Sequence, residues 1–270
     1  MLFREDAGPG GREPGGFQDG DLIILAARPS VGKTTLALNI AHNVGVVQRR
    51  PVAIFSIETA TDRIVENLLC IHADVNPRLL RRGMTSQEMQ ERICLAMGEL
   101  SEAPIFVDDT TALTPLALKS KARRLKAKHD LALVIVDYLQ LMEVPGKRDR
   151  QKAVTLISRH LKALARELNV PVLAISQLRR AAEEHERPRL SDLRESGAIE
   201  QDADVVLLLY REDYQAGEMR SKGIAELRIA KQRHGPTGVV RLYYDLEHLR
   251  FQNAAPSEYA DELAFDDYST

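Results

Sequence analysis

The segment Ala27-Arg28-Pro29-Ser30-Val31-Gly32-Lys33-Thr34 carries residue types that bind phosphate. It follows the pattern G-x-x-x-x-G-K-[ST], with Ala27 in the place of the first glycine. Backbone N–H groups that wrap around phosphates need a sharp turn, which Gly32 permits. The N-terminus of the helix opening at Thr35-Leu36-Ala37 adds a favourable dipole. Lys33 would neutralise the β- and γ-phosphates, and the Thr34 hydroxyl suits Mg2+. Residues Arg28 to Thr35 therefore predict a site for ATP with Mg2+.

Such a site needs a second anchor for the metal and a group that activates water. The run Leu133-Val134-Ile135-Val136-Asp137 supplies the anchor: an apolar strand ending in a carboxylate, the Walker B arrangement. A strand-terminal Asp alone is more often a cap or turn residue; a phosphate loop upstream favours the functional reading. Glu58 ends the apolar run Val52–Ile57 and can point into the same crevice as a base. It competes with a helix-capping role before Thr61-Asp62, and Glu143 is the next candidate. Ser176-Gln177 closes another apolar run. Gln177 there is equally suited to sensing the γ-phosphate and to being a satisfied loop amide.

These residues must be held by regular elements. The runs Leu22–Ala27, Val52–Ile57, Ile105–Val107, Leu133–Val136, Val172–Ile175 and Val205–Tyr210 are continuously apolar, as strands buried on both faces of a parallel sheet are. Helical patterns separate them. The clearest is the stripe Val154, Ile157, Leu161, Leu164, Ala165 and Leu168, which stops before Pro171. Strands alternating with helices predict a doubly wound α/β fold, a mostly parallel sheet flanked by helices. Ile224–Gln232 and Val239–Asp245 alternate instead and flank His234-Gly235-Pro236-Thr237-Gly238, which predicts a C-terminal β-hairpin.

Residues 1–20 hold six glycines and two prolines and read as a flexible lead. The catalytic domain then spans 21–252. Residues 253–270 read as an acidic disordered tail without Lys or Arg.

A formal net charge of −2 over 270 residues argues against a uniformly basic coat, though not against a basic stripe. The lysines and arginines between Lys119 and Lys128 spread around several helical faces and read as a solvated helix. Cys70 and Cys94 lie in apolar helical patterns without ligand spacing and predict two reduced, buried thiols. No apolar run has membrane-spanning length and no signal-peptide core opens the chain, so the expected compartment is the cytosol.

Several segments, taken in order, resemble motifs of the DnaB-type bacterial replicative DNA helicases. They are Ala26 to Thr35, Asp137-Tyr138-Leu139-Gln140-Leu141-Met142, Ser176-Gln177-Leu178, Ser191 to Asp204, and Lys231-Gln232-Arg233-His234-Gly235-Pro236. The resemblance runs from about Gly16 to Phe251 and covers the family's C-terminal RecA-like motor domain. It implies a RecA-like P-loop ATPase core and a hexameric ring that moves 5′ to 3′ on single-stranded DNA, with nucleotide between subunits. It also implies Glu58 as catalytic base, Asp137 as Mg2+ ligand and Gln177 as sensor. Lys231 and Arg233 would reach the neighbour's γ-phosphate, and Arg194, Glu195 and Gly197 would line the DNA path. Primase and a helicase loader are implied as partners.

The chain departs from the family in two places. A glycine-rich lead stands where an N-terminal helical domain and a linker helix usually lie. Asn67 occupies a position where the family tends to carry an arginine, with Arg63 one turn earlier. The alternative is a RecA-like ATPase or nucleotide-gated assembly module that does not unwind DNA. The Asp-Leu-Arg-Glu-Ser-Gly and Lys-Gln-Arg-His-Gly-Pro segments favour the helicase.

Overall fold

The computed structural model describes residues 16–146, 149–178, 187–193, 197–215 and 220–254. A nine-stranded sheet runs through it in the order β3-β2-β4-β5-β1-β6-β7-β8-β9. Six strands are mutually parallel: β1 (Leu22–Ala27), β2 (Val52–Ser56), β3 (Ile105–Asp108), β4 (Leu133–Asp137), β5 (Val172–Gln177) and β6 (Val205–Tyr210). The hairpin strands β7 (Lys222–Gln232) and β8 (Gly238–Asp245) continue the sheet antiparallel from β6. A further strand, β9 (Arg250–Asn253), returns along β8. Asn253, at the head of the expected tail, is therefore a strand residue.

The apolar runs follow from two separate cores. Ile24, Ala26, Phe55, Val134, Val136 and Ala174 face one of them. Their neighbours Ile23, Leu25, Ile54, Ile135, Leu173 and Ile175 face the other. Successive side chains point to opposite sides of a strand, so a sheet covered on both faces needs apolar residues at every position.

Helices cover the two faces. α1 (Lys33–His42) and α2 (Thr61–Ala73) pack on the second core through Leu36, Ile40, Ile64 and Leu68. α3 (Pro77–Arg81) and α4 (Gln87–Glu102) follow, and then α5 (Pro115–His129) and α6 (Arg150–Leu168) cover the first core. The expected stripe of α6 is its buried face. Asp149 caps the helix, accepting from the Gln151 and Lys152 N–H groups, and Asn169 closes it in a left-handed conformation. α7 (Gly197–Asp202) and α8 (Glu212–Gln215) are short.

Cys70 is buried as expected, but Cys94 is exposed. α4 shields a small third core through Met89, Ile93 and Ala96 and reaches the second core through Leu100, but it leaves Leu95 and Met97 outside as well. Its apolar residues are too many for the surface available to bury them. On α5, Lys119 and Arg123 pair with Glu167, and Lys121 pairs with Asp108, as fits a solvated helix. Among the described residues, no helix is long and apolar enough to cross a membrane.

Candidate nucleotide site

The phosphate loop joins the carboxyl end of β1 to α1. Ser30 (φ 63°) and Gly32 (φ 115°) both adopt left-handed backbone, which curls the loop tightly. Gly32 is also the residue from which α1 starts. Ala27, by contrast, is the last residue of β1 and pairs with Gln177 on β5. That position asks for no left-handed backbone, so alanine serves where the motif has glycine. Pro29 and Ser30 are exposed at the crown of the loop, Arg28 is half-buried, and Val31 anchors the loop in the core.

Lys33 is only 8% exposed, and its Nζ donates to the Arg28 carbonyl at 2.9 Å. Burial pushes its amine down to about 8, against the opposing pull of the Asp137 and Glu58 carboxylates; nearby Arg28 pushes it further down. Thr34 donates its hydroxyl to Asp137 Oδ2 at 2.7 Å. Asp137 is itself buried, which raises its carboxyl above the usual range. The Thr34 hydrogen bond and Lys33 counter that rise, and Glu58 adds to it. Glu58 is exposed just past β2, whose last residue Ser56 pairs with Asp137 on β4. Lys33, Asp137 and Glu58 thus share one electrostatic neighbourhood at the carboxyl edge of the sheet, where open α/β sheets bind ligands. Thr35 lies in the first turn of α1, and its carbonyl accepts from Asn39 at 2.7 Å.

Gln177 ends β5 beside Ala27, half-buried at the same edge. A neighbour without an assigned role in the sequence reading holds this corner. Gln140 donates Nε2 to Ser176 Oγ at 2.8 Å and to the Gln177 carbonyl at 3.4 Å. Its Oε1 is buried without a hydrogen-bond partner among the described residues. The signal was its place three residues after Asp137.

Arg233 lies at the opposite edge, and Lys231, level with the middle of β1, turns its ammonium toward that edge. Lys231 pairs with Val206, which pairs with Ile24, whereas the Arg233 N–H donates to the Asp204 carbonyl beyond the amino end of β1. β1 is six residues long, roughly 16 Å at the rise of a strand. That length separates Arg233 from the chain's own Lys33. Lys231 Nζ donates to the Ala203 carbonyl at 2.7 Å, and Arg233 Nη2 donates to the Gln201 carbonyl at 2.6 Å. Both cations therefore gather at the C-terminus of α7, where the helix dipole favours positive charge. Arg194 and Glu195 fall outside the described residues. Gly197, with which they were grouped, is exposed as the first residue of α7.

Residues 12–253 match the family described as DnaB-like helicase C terminal domain. The chain is 49% identical over 246 residues to the replicative DNA helicase DnaB of Geobacillus stearothermophilus, covering 90% of this chain and 54% of that protein. It is 48% identical to the replicative DNA helicase DnaC of Bacillus subtilis (strain 168), with the same coverage. The chain thus spans about half the length of these curated relatives.

Among solved structures, one of an ATPase domain superposes with a TM-score of 0.83 at 38% identity, covering 89% of this chain and 87% of that one. A DnaB-like replicative helicase, solved to describe its interactions with primase, gives the same TM-score and identity over 59% of its length. A sheet of this order, a phosphate loop at its carboxyl edge and a match of this extent lead to one assignment: the chain belongs to the DnaB-like helicase C-terminal domain family.

Proposed function

We propose that the chain is the ATP-hydrolysing motor of a replicative DNA helicase, moving 5′ to 3′ on single-stranded DNA as a hexameric ring in the cytosol. The observation that carries this reading is the meeting of Lys33, the Thr34–Asp137 pair and Glu58 at one sheet edge. The N–H groups of Arg28 to Thr35 would bind the triphosphate, and Lys33 would spread positive charge over its β- and γ-oxygens. The Thr34 hydroxyl and Asp137 carboxylate, 2.7 Å apart, are the hard oxygen donors that Mg2+ prefers. Held there, Mg2+ would neutralise charge on the β- and γ-phosphate oxygens.

Glu58 takes the proton of the attacking water as general base. Gln177, fixed through Ser176 and Gln140, reports on the γ-phosphate to the loop beyond it. Lys231 and Arg233 belong to the adjacent subunit's site, because the carbonyls at the end of α7 hold their side chains away from their own. Cations delivered across an interface stabilise transition-state charge and tie hydrolysis to subunit geometry. Arg194, Glu195 and Gly197 contact DNA through its backbone, with little sequence preference. Primase and a loader are the proposed protein partners.

Steady-state ATP hydrolysis, with and without single-stranded DNA at low salt, tests the reading. Stimulation by DNA is expected. Lys33→Ala should lose nucleotide binding, whereas Glu58→Gln should keep binding and lose turnover. Hydrolysis indifferent to DNA would sink the motor and leave the nucleotide-gated assembly module. Normal turnover by Glu58→Gln would remove Glu58 as the base.

A further inference from the structure

Phe251, on β9, is buried with its ring against the phosphate loop. A Cβ built at Gly32 would stand 3.0 Å from the ring's Cζ and 3.2 Å from its Cε2. Gly32 is therefore glycine for two independent reasons: its left-handed backbone, and the closeness of this ring.

Asn39, on α1, fastens the same strand. Its Nδ2 donates to the Leu249 carbonyl at 2.7 Å, and its Oδ1 accepts the Phe251 N–H at 3.2 Å. Arg250 adds an ion pair at 3.4 Å with Asp74, which caps the end of α2. β9 has four residues and a single strand neighbour. Pairing with β8 alone would hold so short an edge strand weakly. Phe251 also packs on Tyr244 of β8, with ring centroids 6.3 Å apart, but the polar side-chain ties through Asn39 and Arg250 join the strand to α1 and to the end of α2.

We propose that β9 is a clasp on the nucleotide site, with Phe251 and Asn39 as positioning residues for the phosphate loop. This rests on the nucleotide reading of Arg28 to Thr35. Glycine has more backbone freedom than any other residue. A loop that turns through Gly32 must exclude its other conformations before its N–H groups converge on a triphosphate. The Phe251 ring fills the space outside Gly32, and Asn39 keeps β9 at a fixed distance from the first turns of α1. The clasp acts on binding geometry and leaves the water-activating carboxylate untouched, so its loss weakens affinity and spares the chemical step.

Titration of Mg-ATP into Phe251→Ala, followed by calorimetry, should show a Kd raised roughly tenfold. Saturating turnover should stay close to the parent value. Phe251→Leu, which keeps apolar volume beside Gly32, should recover most of the affinity, and Asn39→Ala should weaken it in the same direction.

Leu131→Ala, in the core on the other sheet face, is the control. It should lower thermal stability comparably and leave the Kd unchanged. If Leu131→Ala weakens binding as much as Phe251→Ala, or if both Phe251→Ala and Asn39→Ala bind normally, the clasp is refuted. Should Phe251→Ala fail to fold, Phe251→Leu and Asn39→Ala decide by the same criterion. If the parent chain binds no Mg-ATP, it is the nucleotide reading that fails, and the two failures are told apart.

Discussion

A lysine whose amine titrates at about 8 changes charge within the range of an ordinary buffer series. Lys33 reaches that value because burial opposes its charge more strongly than Asp137 and Glu58 support it. A triphosphate supplies the missing negative charge and should raise the amine again. Below about 8 the lysine is already charged, so binding moves few protons; above it, binding must recruit one. Affinity should therefore be flat at neutral pH and fall as pH rises through the titration. Calorimetry in two buffers of different ionisation enthalpy should show proton uptake near pH 8.5 (about half a unit above the titration). Uptake of no proton would mean that Lys33 is not the group facing the phosphates.

Stability follows the opposite course. The folded value lies below the unfolded one, so between about 8 and the ordinary lysine value the unfolded chain holds more protons. In that window this group makes folding more favourable as pH rises. At the residue scale, Lys33 and Thr34 were legible because neighbours in sequence are neighbours in the loop, and Asp137, 103 residues beyond Thr34, because it ends an apolar strand. Phe251 and Asn39 were not legible, because their meaning depends on a contact 212 residues apart along the chain.

Asp204 marks the scale of the element. Its buried carboxylate accepts the Leu22 N–H at 2.8 Å, and it pairs with Lys162 at 2.5 Å and with Arg233 at 3.3 Å. One side chain thus ties β1, α6 and the end of β7 together. Asp204→Asn keeps an acceptor for Leu22 and takes the ion-pair carboxylate from the largely buried Lys162 ammonium, which keeps a hydrogen bond to the Gly20 carbonyl at 2.8 Å. Leaving a buried charge unpaired costs on the order of 3 kcal/mol, to be read from urea unfolding. A loss below about 0.5 kcal/mol, the scale of an exposed pair, would show that solvent carries the Lys162 charge.

The elements themselves were unevenly legible. Strands covered on both faces announce themselves, and so does α6, whose stripe meets a full core. β9 did not, because four residues with a single buried phenylalanine carry no period. α4 misled in the other direction: apolar spacing on a helix shows which face could be buried, and only the neighbouring surface decides whether it is. Cys94 is exposed for that reason.

At the scale of the whole molecule, the phosphate loop and Arg233 occupy opposite sheet edges, as expected if Arg233 serves the adjacent subunit. Chains carrying Arg233→Ala keep a sound phosphate loop, and chains carrying Lys33→Ala keep sound cations. Each should be inactive alone. Mixed in equal amounts, roughly a quarter of head-to-tail junctions join the two sound halves, and that share of hydrolysis should return. No recovery at any ratio would end the shared-site idea.

The separation along β1 has a consequence for form. A two-fold pair would have to carry both the loop and the cation on one self-complementary patch, whereas they lie a strand's length apart, so the proposed shared site favours a head-to-tail contact. Each junction uses one socket and one plug and leaves one of each at the ends. Growth stops only when the last plug finds the first socket. The angle between successive copies then settles the shape: an even division of the circle closes, and a small excess winds into an open spiral. If Arg233 serves the neighbouring copy's site, six residues of strand, by pointing the chain's two ends of business apart, give that assembly its direction.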